Sequence, residues 1–211
     1  SNTVLTDGTS GGVWTSSNPS NGSIDASSGI LTGIAPGSTT VTYTLPTSCA
    51  VSQAETVNPL PASITGTTNV CVGLTTTLND GSIGGSWSSS NTSIATVGSA
   101  TGDVTGVAAG TVTITYQLPT GCISTTSFTV NPLPSAISGT LAVCTGSTVG
   151  LSDFAGGGTW TSTDITEATV GSSSGVVTGV AVGTPTISYT LPTGCYTTSV
   201  VTVNQTPVAL D

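Results

Sequence analysis

The chain of 211 residues contains no lysine, no arginine and no histidine, while nine carboxylates leave it with a net charge of −9. Nucleic acids and anionic lipid surfaces are held chiefly through Lys and Arg, so composition argues against both as partners. The missing histidine removes the usual general base and the commonest metal ligand. Without lysine there is no Schiff-base chemistry, no Ser-Lys dyad and no Lys–Asn isopeptide crosslink. Charged residues make up only 4% of the chain, against about a quarter in ordinary globular domains. Solubility must therefore rest on Ser, Thr, Asn and Gly, and trypsin finds no cleavage site. No run approaches the ~18 apolar residues of a membrane-crossing helix, so no insertion into a membrane is expected. A positively charged leader is also missing, which places any secretion signal outside this segment.

Apolar residues still amount to 36%, enough to bury a core. Their arrangement is repetitive. Trp14, Trp87 and Trp160 open the near-identical phrases Trp14-Thr-Ser-Ser-Asn18, Trp87-Ser-Ser-Ser-Asn91 and Trp160-Thr-Ser-Thr-Asp164, at steps of 87 − 14 = 73 and 160 − 87 = 73. Tyr43, Tyr116 and Tyr189 keep that step, as do Cys49, Cys122 and Cys195, and Cys71 with Cys144. The chain is one 73-residue unit written about three times, and a period of this kind denotes a tandem array. The copies fall at 1–57, lacking its first strand, at 58–130 and at 131–203. Residues 204–211 then form the first strand of a following copy, or a donor strand that completes the sheet of another subunit through Val208–Leu210.

Within the middle copy, Asn58-Pro59-Leu60-Pro61 reads as a stiff linker, because proline cannot donate to a ladder. Strands are expected at Ser63–Thr68, Thr75–Leu78, Ser86–Ser89, Ile94–Val97, Val104–Val107, Thr111–Gln117 and Thr125–Val130. Val112-Thr113-Ile114-Thr115-Tyr116 alternates apolar and hydroxyl residues, the mark of a strand buried on one face. Seven short strands without helical periodicity predict a small antiparallel sandwich per copy.

Trp87-Ser-Ser-Ser-Asn91, Ile94-Ala95-Thr96-Val97 and Gly102-Asp103-Val104-Thr105-Gly106 followed by Ile114-Thr115-Tyr116 resemble the bacterial immunoglobulin-like group 2 domain. Invasin- and intimin-type adhesins and many secreted surface proteins carry it. The cysteines and the Asn-Pro-Leu-Pro elements are similar to versions in giant secreted repeat proteins of the Bacteroidota. The first copy departs from the pattern with Ile24-Asp25-Ala26-Ser27. The resemblance implies an all-β tandem array of immunoglobulin-like antiparallel β-sandwiches, in which most domains act as spacers and some bind.

Cysteines recurring in register favour an oxidising compartment. Two connectivities are open: Cys71–Cys122 with Cys144–Cys195 inside copies, or Cys71–Cys195 between copies. In a sandwich of the implied kind, Cys71 lies at the far end of its domain and Cys122 at the near end. Strands of about seven residues hold those ends roughly 23 Å apart, while a disulfide needs Cα atoms within about 7 Å. Strand direction thus favours the Cys71–Cys195 staple, leaving Cys49, Cys122 and Cys144 to partners in copies outside the segment.

The remaining candidates have plainer readings. Trp14, Trp87 and Trp160 could stack on glycans, but a core role beside Tyr43, Tyr116 and Tyr189 is favoured. Asp7, Asp80 and Asp153 recur, yet one acid per copy is too few for Ca²⁺ and suits turn chemistry. Asp164 and Glu167 form the minimal pair for glycoside hydrolysis, but their counterparts are Asn91 and Ile94. Asn-Xaa-Ser/Thr triplets at Asn21, Asn91 and Asn204 fall at unrelated places in the repeat. No Ser, Thr or Cys has a basic activator. The expectation is therefore neither an enzyme nor a cofactor or metal protein. It is an extracellular structural rod or filament segment of a bacterial surface adhesin or appendage, partnered by neighbouring repeats or identical subunits. The alternative is an adhesion module whose end loops bind glycans or a host.

Overall fold

The computed structural model describes residues 2–207, and every helix-or-strand element among them is a β-strand. The chain gathers into two compact units, one within Ser1–Ile64, Asp80–Ser86 and Thr115–Thr125, the other within Thr65–Asn79, Trp87–Ile114 and Thr126–Asp211. The expected donor strand Val208–Leu210 lies outside the described residues.

Within Ser1–Ile64 of the first unit the strands are β1 (Asn2–Val4), β2 (Val13–Ser16), β3 (Gly22–Ile24), β4 (Ile30–Gly33), β5 (Gly37–Thr44) and β6 (Ala50–Val57). They form two antiparallel sheets, ordered β1-β4-β3 and β2-β5-β6. Thr39, Val41 and Tyr43 alternate inward along β5 and are buried, as period-two patterning requires.

The middle copy contributes β7 (Thr65–Gly66), β8 (Asn69–Cys71), β9 (Thr75–Asn79), β10 (Ser86–Ser89), β11 (Ala95–Val97), β12 (Asp103–Gly106), β13 (Gly110–Gln117) and β14 (Ile123–Asn131). The third contributes β15 (Ser138–Gly139), β16 (Ala142–Cys144), β17 (Thr148–Ser152), β18 (Thr159–Ser162), β19 (Ala168–Val170), β20 (Val176–Gly179), β21 (Thr186–Thr190), β22 (Tyr196–Val200) and β23 (Thr202–Asn204). Its core is assembled from both sheets: Leu151, Trp160, Val177, Ile187, Tyr189 and Val203 are all buried in one cluster.

The strand expected at Ser63–Thr68 is only the two-residue β7, and a further strand that was not expected, β8, follows it at Asn69–Cys71. β7 pairs antiparallel with β9, and β8 pairs parallel with β14, in the register Thr129↔Asn69, Val130↔Val70, Asn131↔Cys71. The chain changes sheets after Gly66, at φ 116°, and again after Gly139, at φ 124°. A Cβ on Gly66 would lie 2.7 Å from the Thr77 carbonyl, so only glycine makes this crossing without strain. The middle copy therefore holds eight strands and the third nine, each with one parallel pair, β8 with β14 and β16 with β23. A two-residue strand carries no alternation to read, which is why the sequence shows one strand there.

The third copy adds a local irregularity. Pro185 stands where the middle copy has Val112 and lacks the N–H a ladder needs. β21 starts only at Thr186, and the last strand breaks into β22 and β23 around Val201, whose N–H bonds the Pro185 carbonyl at 3.0 Å. Residues 58–64 and 132–137, which hold the Pro-Leu-Pro linkers, belong to no strand.

Candidate functional site

Each tryptophan strand is entered through a loop pinned by a tyrosine hydroxyl. The Gly12, Gly85 and Gly158 amides donate to the hydroxyls of Tyr43, Tyr116 and Tyr189 at 2.8, 2.9 and 2.8 Å. Tyr43 and Tyr116 in turn donate to the Thr9 and Ser82 carbonyls, both at 2.7 Å. The rings of Trp14 and Tyr43 lie 4.6 Å apart, as do those of Trp160 and Tyr189, tilted by 42° and 47°. Such tilted pairs contribute about 0.5–1.5 kcal/mol beyond their area. Trp87 and Trp160 keep only 7% and 5% of their surface exposed, too little for a ring to stack on a ligand, whereas Trp14 is half-buried.

Cys71 and Cys195 form a disulfide, with Cα atoms 5.7 Å apart. Cys71 closes β8, fixed against β14 opposite Asn131. Cys195 closes the turn after β21, where Leu191 N–H bonds the Cys195 carbonyl at 2.8 Å and Gly194 N–H the Leu191 carbonyl at 2.9 Å. Cys195 is wholly buried. The bond ties residue 71 of the middle copy to residue 195 of the third, both inside the second unit. Among the described residues Cys49, Cys122 and Cys144 are free; Cys49 is exposed and the other two are half-buried.

The acids are engaged in turns. Asp7, Asp80 and Asp153 accept the amides of Thr9, Ser82 and Ala155, each at 2.8 Å, which is the Asx-turn geometry. The second carboxylate oxygens of Asp80 and Asp153 are buried without a partner among the described residues, but no group of three acids or cysteines gathers there or elsewhere. Asp164 accepts the amide and hydroxyl of Thr166 at 2.8 and 2.6 Å, and Glu167 accepts the Thr184 amide at 3.0 Å. The Thr166 hydroxyl and amide hold the Asp164 carboxyl below its ordinary value. The Ser28 and Ser27 donors do the same for Asp25, and the Thr77 and Thr101 hydroxyls for Asp103. Asp25 and Asp164 are held by local turns and Asp103 by a hydroxyl on the neighbouring β9, so none of the three has the raised value a catalytic acid requires.

Sequence reasoning missed an open cleft in the first unit, with a volume of about 690 Å³. Leu31, Ile34, Val57, Leu60 and Ile123 give it apolar walls, and Gly33, Thr56, Asn58 and Cys122 also line it. The signal was present as a broken repeat. Glu55 faces inward on β6, opposite buried Thr39, at the position where Phe128 and Val201 are fully buried in the later copies.

Residues 47–118 match the bacterial Ig-like domain (group 2), so the chain carries a segment of that family over about a third of its length. Three solved structures are similar to the chain, each with a TM-score under 0.5. Invasin, a bacterial integrin-binding protein, is 17% identical with a TM-score of 0.48, over 92% of this chain and 52% of that one. Domains 1–6 of the surface layer protein SbsC are 20% identical with a TM-score of 0.33, over 93% of this chain and 35% of that one. A C-terminal 282-residue fragment of intimin, solved with the intimin-binding domain of the translocated intimin receptor, is 16% identical with a TM-score of 0.35, over 79% of this chain and 58% of that one. The chain thus spans about a third of the surface-layer chain and about half of invasin. No curated protein matches it. Among the described residues the chain is all-β, and residues 47–118 carry the bacterial Ig-like match.

Proposed function

We propose that this chain is a load-bearing spacer of the bacterial exterior, a run of immunoglobulin-like copies at 1–57, 58–130 and 131–203 that extends a surface adhesin or appendage. The observation that carries this reading is the Cys71–Cys195 bond, which fastens one copy to the next rather than closing a single copy on itself. A staple between copies limits how far two neighbours separate under tension, which is a mechanical and not a catalytic property. Several features support the same reading. A bacterial Ig-like segment lies within the chain. The disulfide suits an oxidising exterior. The chain has no Lys, Arg or His with which to activate a nucleophile. Neighbouring repeats are then its principal partners. Indoles buried at 87 and 160 leave the glycan-stacking alternative without an exposed aromatic row.

Electron microscopy of the native cell surface tests this. Strands of eight residues span about 26 Å, so with end loops each copy should add an axial repeat of roughly 35–40 Å to an extracellular fibre. Labelled antibody against the segment found only inside cells, or on isolated globular particles, would overturn the reading.

A further inference from the structure

The cleft in the first unit is lined by residues that correspond, one repeat earlier, to those that hold β8 and β16. In the middle copy three backbone groups hold β8: Thr129 N–H donates to the Thr68 carbonyl at 2.9 Å, the Asn131 carbonyl accepts Val72 N–H at 3.0 Å, and the Gly106 carbonyl accepts Gly73 N–H at 2.8 Å. The third copy repeats all three around β16. Thr202 N–H donates to the Leu141 carbonyl, and the Asn204 and Gly179 carbonyls accept Thr145 and Gly146 N–H, each at 2.9 Å. Stepping back 73 residues turns these anchors into Thr56, Asn58 and Gly33. All three line the cleft, and β6, which carries Thr56, is the edge strand of its sheet.

The apolar seat is repeated as well. A Cβ built on Gly106 would meet Val130 at 2.8 Å and Val70 at 3.0 Å, so β8 packs its valine onto β14 close over that glycine. Val57 is the counterpart of Val130 and sits in the cleft wall. Finally, Cys122 lines the cleft, and it occupies the position of Cys195, the residue that captures Cys71 at the end of β8. Anchors, seat and thiol therefore recur together around a strand position that none of the described residues fills.

We propose that the cleft is an acceptor for an extended strand of the repeat's own Val-Cys type, running parallel to β6, and that Cys122 locks it in place through a disulfide. The donor is a further copy of the repeat lying outside residues 2–207. It is not a second copy of this chain, because Asn69–Cys71 and Ala142–Cys144 are already paired inside their own sandwiches. Locking is a thiol–disulfide exchange with an external disulfide donor. The donor Cys and Cys122 lose two electrons and two protons to form one S–S bond, and the external disulfide is reduced to two thiols. This deepens the spacer reading and rests on it, since the same staple would join each copy to the next.

The test uses the whole chain with its native disulfide and a synthetic peptide, Thr-Gly-Thr-Thr-Asn-Val-Cys-Val-Gly-Leu, offered as its mixed disulfide with thionitrobenzoate. Attack by the Cys122 thiolate on the peptide sulfur breaks that bond, releases coloured thionitrobenzoate and leaves the peptide on Cys122. Because binding raises the local concentration of the peptide, Cys122 should be labelled more than about tenfold faster than Cys49, although Cys49 is the more exposed. A peptide with the central valine changed to aspartate should lose that preference. The variant Cys122→Ser should still show a raised melting temperature with the Cys→Ser peptide. Labelling led by Cys49, or equal labelling of Cys122 by a scrambled peptide, would overturn the proposal. So would a Cys122–Cys144 linked dimer forming without peptide, which would make a second copy the donor. None of these failures touches the Cys71–Cys195 staple, which the fibre repeat probes separately.

Discussion

Replacing both Cys71 and Cys195 with alanine removes a constraint whose size follows from the loop it closes. The bond spans 124 residues, and the chain-entropy relation gives about 5 kcal/mol for a loop of that length if the second unit unfolds as a whole. If the third copy unfolds alone, β8 stays paired on β14 and holds Asn131 beside Cys71. The effective loop is then 195 − 131 = 64 residues, and the same relation gives about 4 kcal/mol. Either route predicts a loss of about 4–5 kcal/mol, or roughly 10–15 °C in melting temperature for a chain of this size. Calorimetry of the oxidised chain, the reduced chain and the double variant checks this. Reduction keeps both sulfurs in place, so it isolates the constraint, while the variant adds the small cavity left at buried Cys195. A shift below about 3 °C on both would refute the reasoning, because the constraint on the unfolded chain would then be far smaller than the loop length gives.

Other perturbations probe the copies themselves. Tyr189→Phe leaves the Gly158 N–H unpaired in a part-buried loop and should cost about 1–2 kcal/mol in denaturant unfolding; no measurable cost would contradict the pinning role. Trp160→Ala should cost about 3–5 kcal/mol, and the half-buried Trp14→Ala clearly less; equal costs would mean the first core is as closed as the third. The Asp25, Asp103 and Asp164 carboxyls should titrate below 3.8 by carbon NMR, since Ser and Thr donors favour their ionised forms. Because these folded values are depressed, their contribution is present above the unfolded value and disappears as pH falls through the folded one. A midpoint at or above 3.8 for Asp25 would contradict the Ser28 and Ser27 bonds.

Much of the fold could be read because the repeat states it three times. Val112, Ile114 and Tyr116 alternate with hydroxyl residues, and that periodicity is a direct image of one buried face. The Pro-Leu-Pro linkers were equally plain, because a residue without an N–H cannot sit inside a ladder. The sheet change at Gly66 was not legible, since β7 and β8 are too short for alternation and their partners lie far along the chain. Pro185 shows the same limit: its residue type was visible, but the break it forces at Val201 sits on the neighbouring strand. The register already left copy 1–57 without its first strand, but the cleft itself has no pattern of its own. Sequence patterns report what is present, and the cleft's one trace among the residues present is a substitution, Glu55 where the other copies bury Phe128 and Val201.

Single-molecule extension of the chain from its two ends tests the mechanical account most directly. With Cys71 and Cys195 joined, the 124 residues of the loop cannot lengthen, whatever unfolds inside it. Reduction should release them, adding roughly 420 Å of contour length at about 3.4 Å per residue. Identical extension before and after reduction would contradict the claim that the staple between copies sets how far this protein stretches.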